Sequence, residues 1–467
     1  MSAPLVQRWH VLLASALLGG CGSMRPAPPL ITVADPPMNW QRAGGDAVLE
    51  ARWWREFGDP VLASYVERAL ERNTDLRTAM ARVAEARAVA RAEHGAELPQ
   101  VDFGAGGERS RSISDVTLHP YLATDWKSAF EASYEVDLRG RLAALSKAGD
   151  ATLEASRAAR DATALAVASA TASAYINLLA LDERLSLARR TLDARRDALR
   201  VAGSRQQSGY SSRFELAQAQ AEYNATAGAI PQLELALERQ AHALSALIDE
   251  TPADIVRGRG LVALAPPPVP ALGVPSTLLR RRPDIAAAEF QVAASDAQLD
   301  AARAQLLPSL QLSTSLGRVG STVFQGDPFT IWSLGASVLS PIFNGGRLHA
   351  QADAAGSRRD QTILAYRKIV VNAFVEVEDQ LAAIEHLKEQ ARQAMEQRAA
   401  VAEALRIARS RYIEGYASYL EELDAQRTLF GAEQTVAQLQ ADLLTAHVNL
   451  YRALGGGWSA RPAAEKR

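Results

Sequence analysis

The stretch Trp126 to Arg141 alternates without a slip. Trp126, Ser128, Phe130, Ala132, Tyr134 and Val136 share one face, and Lys127, Ala129, Glu131, Ser133, Glu135 and Asp137 share the other. It returns 206 positions later as Trp332 to Arg347, with Trp332, Leu334, Ala336 and Val338 in the phase of the large apolar groups and Ser333, Gly335 and Ser337 opposite. Period two makes each copy a strand. Apolar bulk on one side and charge on the other require a fatty phase facing an aqueous one. About 11 residues per copy is the length a tilted strand needs to cross a bilayer. One such strand alone would also suit a soluble sandwich, so the rest of the chain has to decide.

The offset of 206 recurs at landmark after landmark: Gly140, Arg141, Gly209, Tyr210, Ser212, Glu215, Ala219 and Gln220 stand opposite Gly346, Arg347, Gly415, Tyr416, Ser418, Glu421, Ala425 and Gln426. Chance does not hold identities on one spacing in this way, which points to an internal duplication. From Gly140 no proline occurs until Pro231, and alanine, leucine, arginine and glutamate dominate, a helix composition. This predicts a rod from Gly140 to about Gly203, roughly 95 Å long. A turn follows at Ser208-Gly209-Tyr210, then a return helix from Ser212 to Ile248, kinked at Pro231. The return covers about half of the rod. The other half is expected to pack on a helix capped by Asp59, opened by Pro60, carried through Asn73 to about Glu97 and stopped by Pro99. Two strands follow it, a weak one near Val101 to Ile113 and the strong one, joined by a polar loop around Ser114 to Thr124.

The second half repeats the order: a helix to Leu306, Pro308, two strands, a rod from Gly346, a turn at Gly415 and a return helix. In that last helix Leu429, Val436, Leu443 and Leu450 recur every seven residues, with Ala432, Leu439, Ala446 and Ala453 in the companion position, a heptad seam. So much alanine permits close approach and a tubular or sheet-like array of rods. The arginines Arg280 to Arg282 read as a solvated charge cluster at a helix start. The expected segments are a signal peptide (1–20), a lipidated tether (21–58), a first repeat (59–251), a proline-rich linker (252–275), a second repeat (276–458) and a disordered tail (459–467).

Several function classes find no support. A net charge of -2 argues against a nucleic-acid partner. Cys21 is the one cysteine, so no internal disulfide or zinc cluster can be drawn, and the seven histidines are scattered without an HExxH pair. There is no G-x-S-x-G elbow and no phosphate-binding GxxxxGK[ST] loop, while Gly104, Gly106 and Gly107 lack a following helix. No enzyme, metal site or cofactor is expected. At the start, Arg8 and His10 precede the apolar run Val11 to Leu18 and then Gly19-Gly20-Cys21. This predicts a secretory signal with a lipobox, cleavage leaving Cys21 as the lipidated first residue. Met24 to Asn39 reads as an extended, proline-rich tether.

The chain resembles the TolC-like outer-membrane factors, in their lipoprotein (NodT/OprM-type) branch. The residues that carry this are Trp54 with Phe57-Gly58-Asp59-Pro60, Asn73-Thr74-Asp75-Leu76, Leu98-Pro99 and Leu307-Pro308, Arg282-Pro283-Asp284-Ile285 with Glu289, Phe343-Asn344-Gly345-Gly346, Asp424-Ala425-Gln426-Arg427 and Ala453-Leu454-Gly455-Gly456-Gly457-Trp458. The resemblance implies an α+β membrane protein: a homotrimer with four strands per chain, closing one twelve-stranded outer-membrane barrel that continues into a long periplasmic coiled-coil tunnel. It implies an efflux channel for small molecules, lipid-anchored in the outer membrane of a Gram-negative bacterium and served by a periplasmic adaptor and an inner-membrane transporter. An exit duct for type I protein secretion and a periplasmic adaptor lipoprotein are the alternatives. Independently of any resemblance, four strands leave two open edges that lipid cannot satisfy. Barrels begin at about eight strands, so two or three chains are needed.

Two sets of residues at the rod tips are candidates. Arg205 with Gly209, and Arg411 with Gly415, share an R-x-x-x-G pattern that suits helix termination, glycine taking the left-handed position and arginine facing the C-terminus. The resemblance adds adaptor docking to these tips, Tyr412 included. Leu420 and Asp424 are i,i+4 neighbours with Arg427 three further on. The resemblance makes them a gate, in which rings of Leu and Asp narrow the entrance and Arg holds helices inward; an intrahelical Asp424–Arg427 pair is the plainer alternative. The equivalent first-half residues, Phe214, Gln218 and Ala221, place the expected gate on the second hairpin alone.

Overall fold

The computed structural model describes residues 36–116, 118–323 and 328–458, so the expected signal segment, Cys21 and the tail 459–467 lie outside the described residues. A short 3-10 turn, Trp53–Phe57, ends at Gly58 in the left-handed region, and Asp59 then caps α1 (Pro60–Arg72), its Oδ1 accepting from Val61 N at 2.8 Å. The single helix expected to run on to Glu97 is in fact two. Asn73 leaves helical geometry, its Oδ1 accepts from the backbone N of Asp75 and Leu76, and its Nδ2 donates to the Leu247 carbonyl at 2.9 Å. One capping side chain thus outcompetes the periodicity and starts α2 (Thr74–Ala96).

Strands β1 (Gln100–Ile113) and β2 (Pro120–Val136) form a hairpin that is longer than its alternation suggested. The residues assigned to the loop's second half are strand, because Pro120, Leu122 and Thr124 pair with Ile113, Arg111 and Arg109. Proline is tolerated there as the first strand residue. α3 (Arg141–Gln207) and α4 (Arg213–Leu247) make the first helical hairpin, α4 continuing as one helix through Pro231. The second half runs through α5 (Pro283–Ala304), β3 (Ser309–Ser321), β4 (Phe329–Leu339), α6 (Arg347–Ile413) and α7 (Tyr419–Ala453). Both rods have 67 residues and both return helices 35, so each rod is about 100 Å long.

The strands make one antiparallel sheet in the order β1-β2-β3-β4, with β1 and β4 at its edges. Register carries the sidedness of the sequence across all four strands, since directly paired residues share a face. Phe103, Phe130, Leu316 and Trp332 form one row, and Val101, Ala132, Thr314 and Leu334 the next but one. Trp332, Leu334 and Val338 are 76%, 80% and 70% exposed, an apolar wall with nothing over it among the described residues. The opposite face places Asp102 beside Glu131, Ser315 and Ser333, with Gln100, Ser133, Ser313 and Glu135 following.

Helix packing needs two seams on α7. Leu443, Ala446, Leu450 and Ala453 from the expected heptad meet Val370, Ala373, Val377 and Leu381 of α6. A second heptad, Ala437, Ala441, Leu444, Val448 and Tyr451, meets Ala172, Tyr175 and Leu179 of α3 together with Trp53, Phe57, Leu62 and Val66. α3 is apolar enough over part of its length to cross a bilayer, yet these side chains are buried in that core, so its hydrophobicity goes into packing. Arg282 departs from the solvated cluster expected of it. It is 7% exposed and donates to Asp284 Oδ1 at 3.0 Å, Glu376 Oε2 at 2.8 Å and the Ala453 carbonyl at 3.1 Å, tying the start of α5 to α6 and the end of α7. Gly455 lies against that junction with φ +90°, and a side chain there would strike the Arg281 carbonyl.

Candidate functional site at the helical tips

Each rod ends the same way. Gly209 and Gly415 take φ +79° and +82°, and the following Tyr210 and Tyr416 each donate a backbone N–H to the carbonyl of Arg205 or Arg411 at 2.8 Å. Glycine makes this left-handed step without a Cβ penalty. The two arginines then part company. Arg205 crosses to the other hairpin, donating to the carbonyls of Tyr412 at 3.4 Å and Ile413 at 3.3 Å, with its guanidinium 4.4 Å from the Tyr412 ring centre. It therefore caps the C-terminus of α6, where cations are favoured. Arg411 stays local, 3.3 Å from Glu421. Tyr412 is buried in a small core with Ala202, Ala219, Tyr419 and Leu423, while Tyr210, Tyr416 and Ile413 stand exposed at the ends.

Leu420 and Asp424 are exposed on α7, and Asp424 has no side-chain hydrogen bond or ion pair among the described residues. Arg427 does not close on Asp424. Its Nε donates to Glu222 Oε1 on α4 at 2.8 Å, and Glu222 Oε2 lies 3.0 Å from Arg195 Nη1 on α3. Arg195 also donates to the Glu222 carbonyl and to Thr226, and faces the Phe430 ring. The hydrogen bond from Arg427, with Arg195 beside it, holds the Glu222 carboxyl below the usual carboxylate range. Burial pushes Tyr419 up to about 12 and raises Glu422, whose Oε1 accepts from Gln426 at 3.0 Å. The first hairpin thus supplies an acid to the second. Sequence reasoning missed Glu222 because it sits one residue past Ala221, the strict 206-offset equivalent of Arg427.

A wall with grease on one face and carboxylates on the other, continued by paired helical rods, is the build of a membrane channel. The family model described as "Outer membrane efflux protein" matches residues 65–249 and 274–456. The chain is 36% identical to the "Pyoverdine export outer membrane protein OpmQ" of Pseudomonas aeruginosa, over 96% of this chain and 97% of that one. It is 31% identical to the "Toluene efflux pump outer membrane protein TtgI" of Pseudomonas putida, over 96% and 98%. Among solved structures, the OprN outer-membrane channel aligns with a TM-score of 0.83 at 29% identity, covering 91% of this chain and 95% of that one. The open-state MtrE channel of Neisseria gonorrhoeae aligns at 0.82 and 31%, covering 91% and 96%. The chain belongs to the outer membrane efflux protein family, a family of non-catalytic transport conduits. It is an outer-membrane channel subunit of efflux-pump systems, extending into the periplasm.

Proposed function

We propose that three copies of this chain close a twelve-stranded barrel whose lumen continues between the helical rods, and that small organic molecules leave the periplasm through it. One observation carries this: a sheet whose apolar face is exposed, whose other face is polar, and whose β1 and β4 edges are open. In lipid those edges require partners, and a second and third copy supply them. The repeats 59–251 and 276–458, with the linker between, then alternate around the tunnel. The names of relatives that export pyoverdine or toluene support a small-molecule cargo. Electron microscopy of the detergent-extracted protein tests the assembly; threefold tubes are expected, and compact monomers would end the proposal.

At the periplasmic end, Leu420, Asp424 and Arg427 form the gate, with Arg427 latched to Glu222 of the neighbouring hairpin. Opening requires that latch to let go as the second hairpin moves outward. A periplasmic adaptor, itself joined to an inner-membrane transporter, docks on the tips: Gly209 and Gly415 set the turns, Arg411 lies at the surface, and Arg205 and Tyr412 keep the two tips in register. The lipoprotein branch is the fitting subdivision, with Cys21 lipidated in the outer membrane. Mass spectrometry of the mature protein tests this, with an acylated Cys21 as its first residue expected.

A further inference from the structure

Charge is segregated across the sheet. Asp102, Glu108, Asp125, Glu131 and Glu135 all fall on the polar face, along with Lys127. Arg109, Arg111 and Arg318 all fall on the apolar face, which carries no acidic residue among the described strand positions. Their placement along the strands is equally specific. Trp126 pairs with Gly107 on β1 and Gly320 on β3; Arg109 and Arg111 lie two and four residues beyond Gly107, and Arg318 lies two from Gly320. From Trp126 to Val136 the apolar face runs ten residues, which at the usual strand tilt spans about 25 Å, the height of a barrel's lipid band. Arg109 and Arg111 therefore lie beyond the Trp126 row, at the hairpin end away from the helices, and Arg318 lies two residues to the helix side of that row, just inside the band, where its long stem reaches toward the same rim. All three are exposed, and their side chains have no hydrogen-bond or ion-pair partner among the described residues.

A guanidinium on a lipid-facing surface needs a counter-charge, and long stems let it reach the headgroup level. Neighbouring copies cannot supply the charge from this face, because the β4 residues that would adjoin β1 there are Thr330, Trp332, Leu334, Ala336 and Val338. The headgroups of an outer membrane's outer leaflet are phosphorylated sugars, and arginine binds phosphate through parallel N–H donors. We propose that Arg109, Arg111 and Arg318 form a docking strip for the phosphates of the outer-leaflet glycolipid, setting the depth and tilt of the barrel. The inference rests on the barrel reading above.

The test uses full-length protein in phosphatidylcholine nanodiscs doped with diphosphoryl lipid A, followed by extraction and native mass spectrometry of retained lipid. Wild type is expected to retain lipid A, the triple variant Arg109→Gln/Arg111→Gln/Arg318→Gln about tenfold less, and the triple lysine variant an intermediate amount. Arg406→Gln, far along α6, serves as the control and should match wild type. Equal retention by the glutamine variant and wild type overturns the proposal, as does a wild type that retains none. If the triple variant does not insert, Arg111→Gln decides by the same count. A wild type that never enters the bilayer would instead sink the barrel reading.

Discussion

Arg427 on the second hairpin and Glu222 on the first are joined at 2.8 Å, and the two ends of that bond differ in kind. Glu222 is buried and gripped from behind by Arg195, whereas the Arg427 side chain is 53% exposed. A link built this way should let go from the arginine side.

Replacing Arg427 with alanine should therefore free the α7 tip while Arg195 still neutralises Glu222. Single-channel conductance in planar bilayers is expected to rise with little change in melting temperature. Glu222→Ala should also raise conductance, but it strands Arg195 in the interior, at a cost of about 3–5 kcal/mol. Identical conductance in wild type and Arg427→Ala would remove this pair from the gate.

Leu420→Ala and Asp424→Ala test the constriction itself. Both side chains are exposed, so stability should shift by no more than about 0.5 kcal/mol. Conductance should nevertheless increase in each, and a measurement that finds neither changed would return these residues to ordinary helix surface.

Acidity should act on the tip in opposite directions at two glutamates. Glu222 has a lowered pKa in the folded protein, so its contribution is present above the ordinary carboxylate value of about 4.3 and is lost only as pH falls through the lower folded value. Glu422 has a raised one, so the folded protein favours its neutral form and loses stability as pH rises through that value. Glu422→Gln, which keeps a carbonyl for Gln426, should raise the melting temperature at neutral pH and give no gain near pH 4. A gain that grows toward acid pH would contradict the burial argument.

How much of this was legible in the sequence depends on the range of the interaction involved. Strand sidedness, the rods and the paired tips are written in local periodicity and the repeat offset, and the strand register preserves the sidedness. The break at Asn73 is hidden in sequence because its cap competes with a helix pattern that is otherwise unbroken. Arg282 is indistinguishable in sequence from adjacent Arg280 and Arg281, while its partners Glu376 and Ala453 come from distant helices. The second seam of α7 escaped because Ala437 and Ala441 become core positions only once α3 lies against them.

Arg282→Ala should accordingly be costly, by about 3 kcal/mol, since it removes the hub shared by α5, α6 and α7. Thermal unfolding of the detergent-solubilised protein would show this as a lower midpoint. Arg280→Ala provides the contrast and should be close to neutral.

The polar face of the sheet carries Asp102, Glu108, Asp125, Glu131 and Glu135 against Lys127. A lumen lined this way should prefer cations. Reversal potentials under a potassium chloride gradient should have the cation-selective sign and move toward zero in Asp102→Asn/Glu108→Gln. Anion preference in the wild type would place the carboxylates elsewhere.

The seam between β2 and β3 joins Val136 to Leu310 and Asp125 to Ser321, so neighbouring strands come from opposite halves of the chain. Contacts between such remote segments form late, after the entropy of closing the intervening length has been met. During synthesis the first β-hairpin must wait, unmated, through an entire helical excursion before its partner exists. Completion of the sheet is thereby tied to arrival of the second half, and a truncated product has only two of the four strands with which to enter a bilayer.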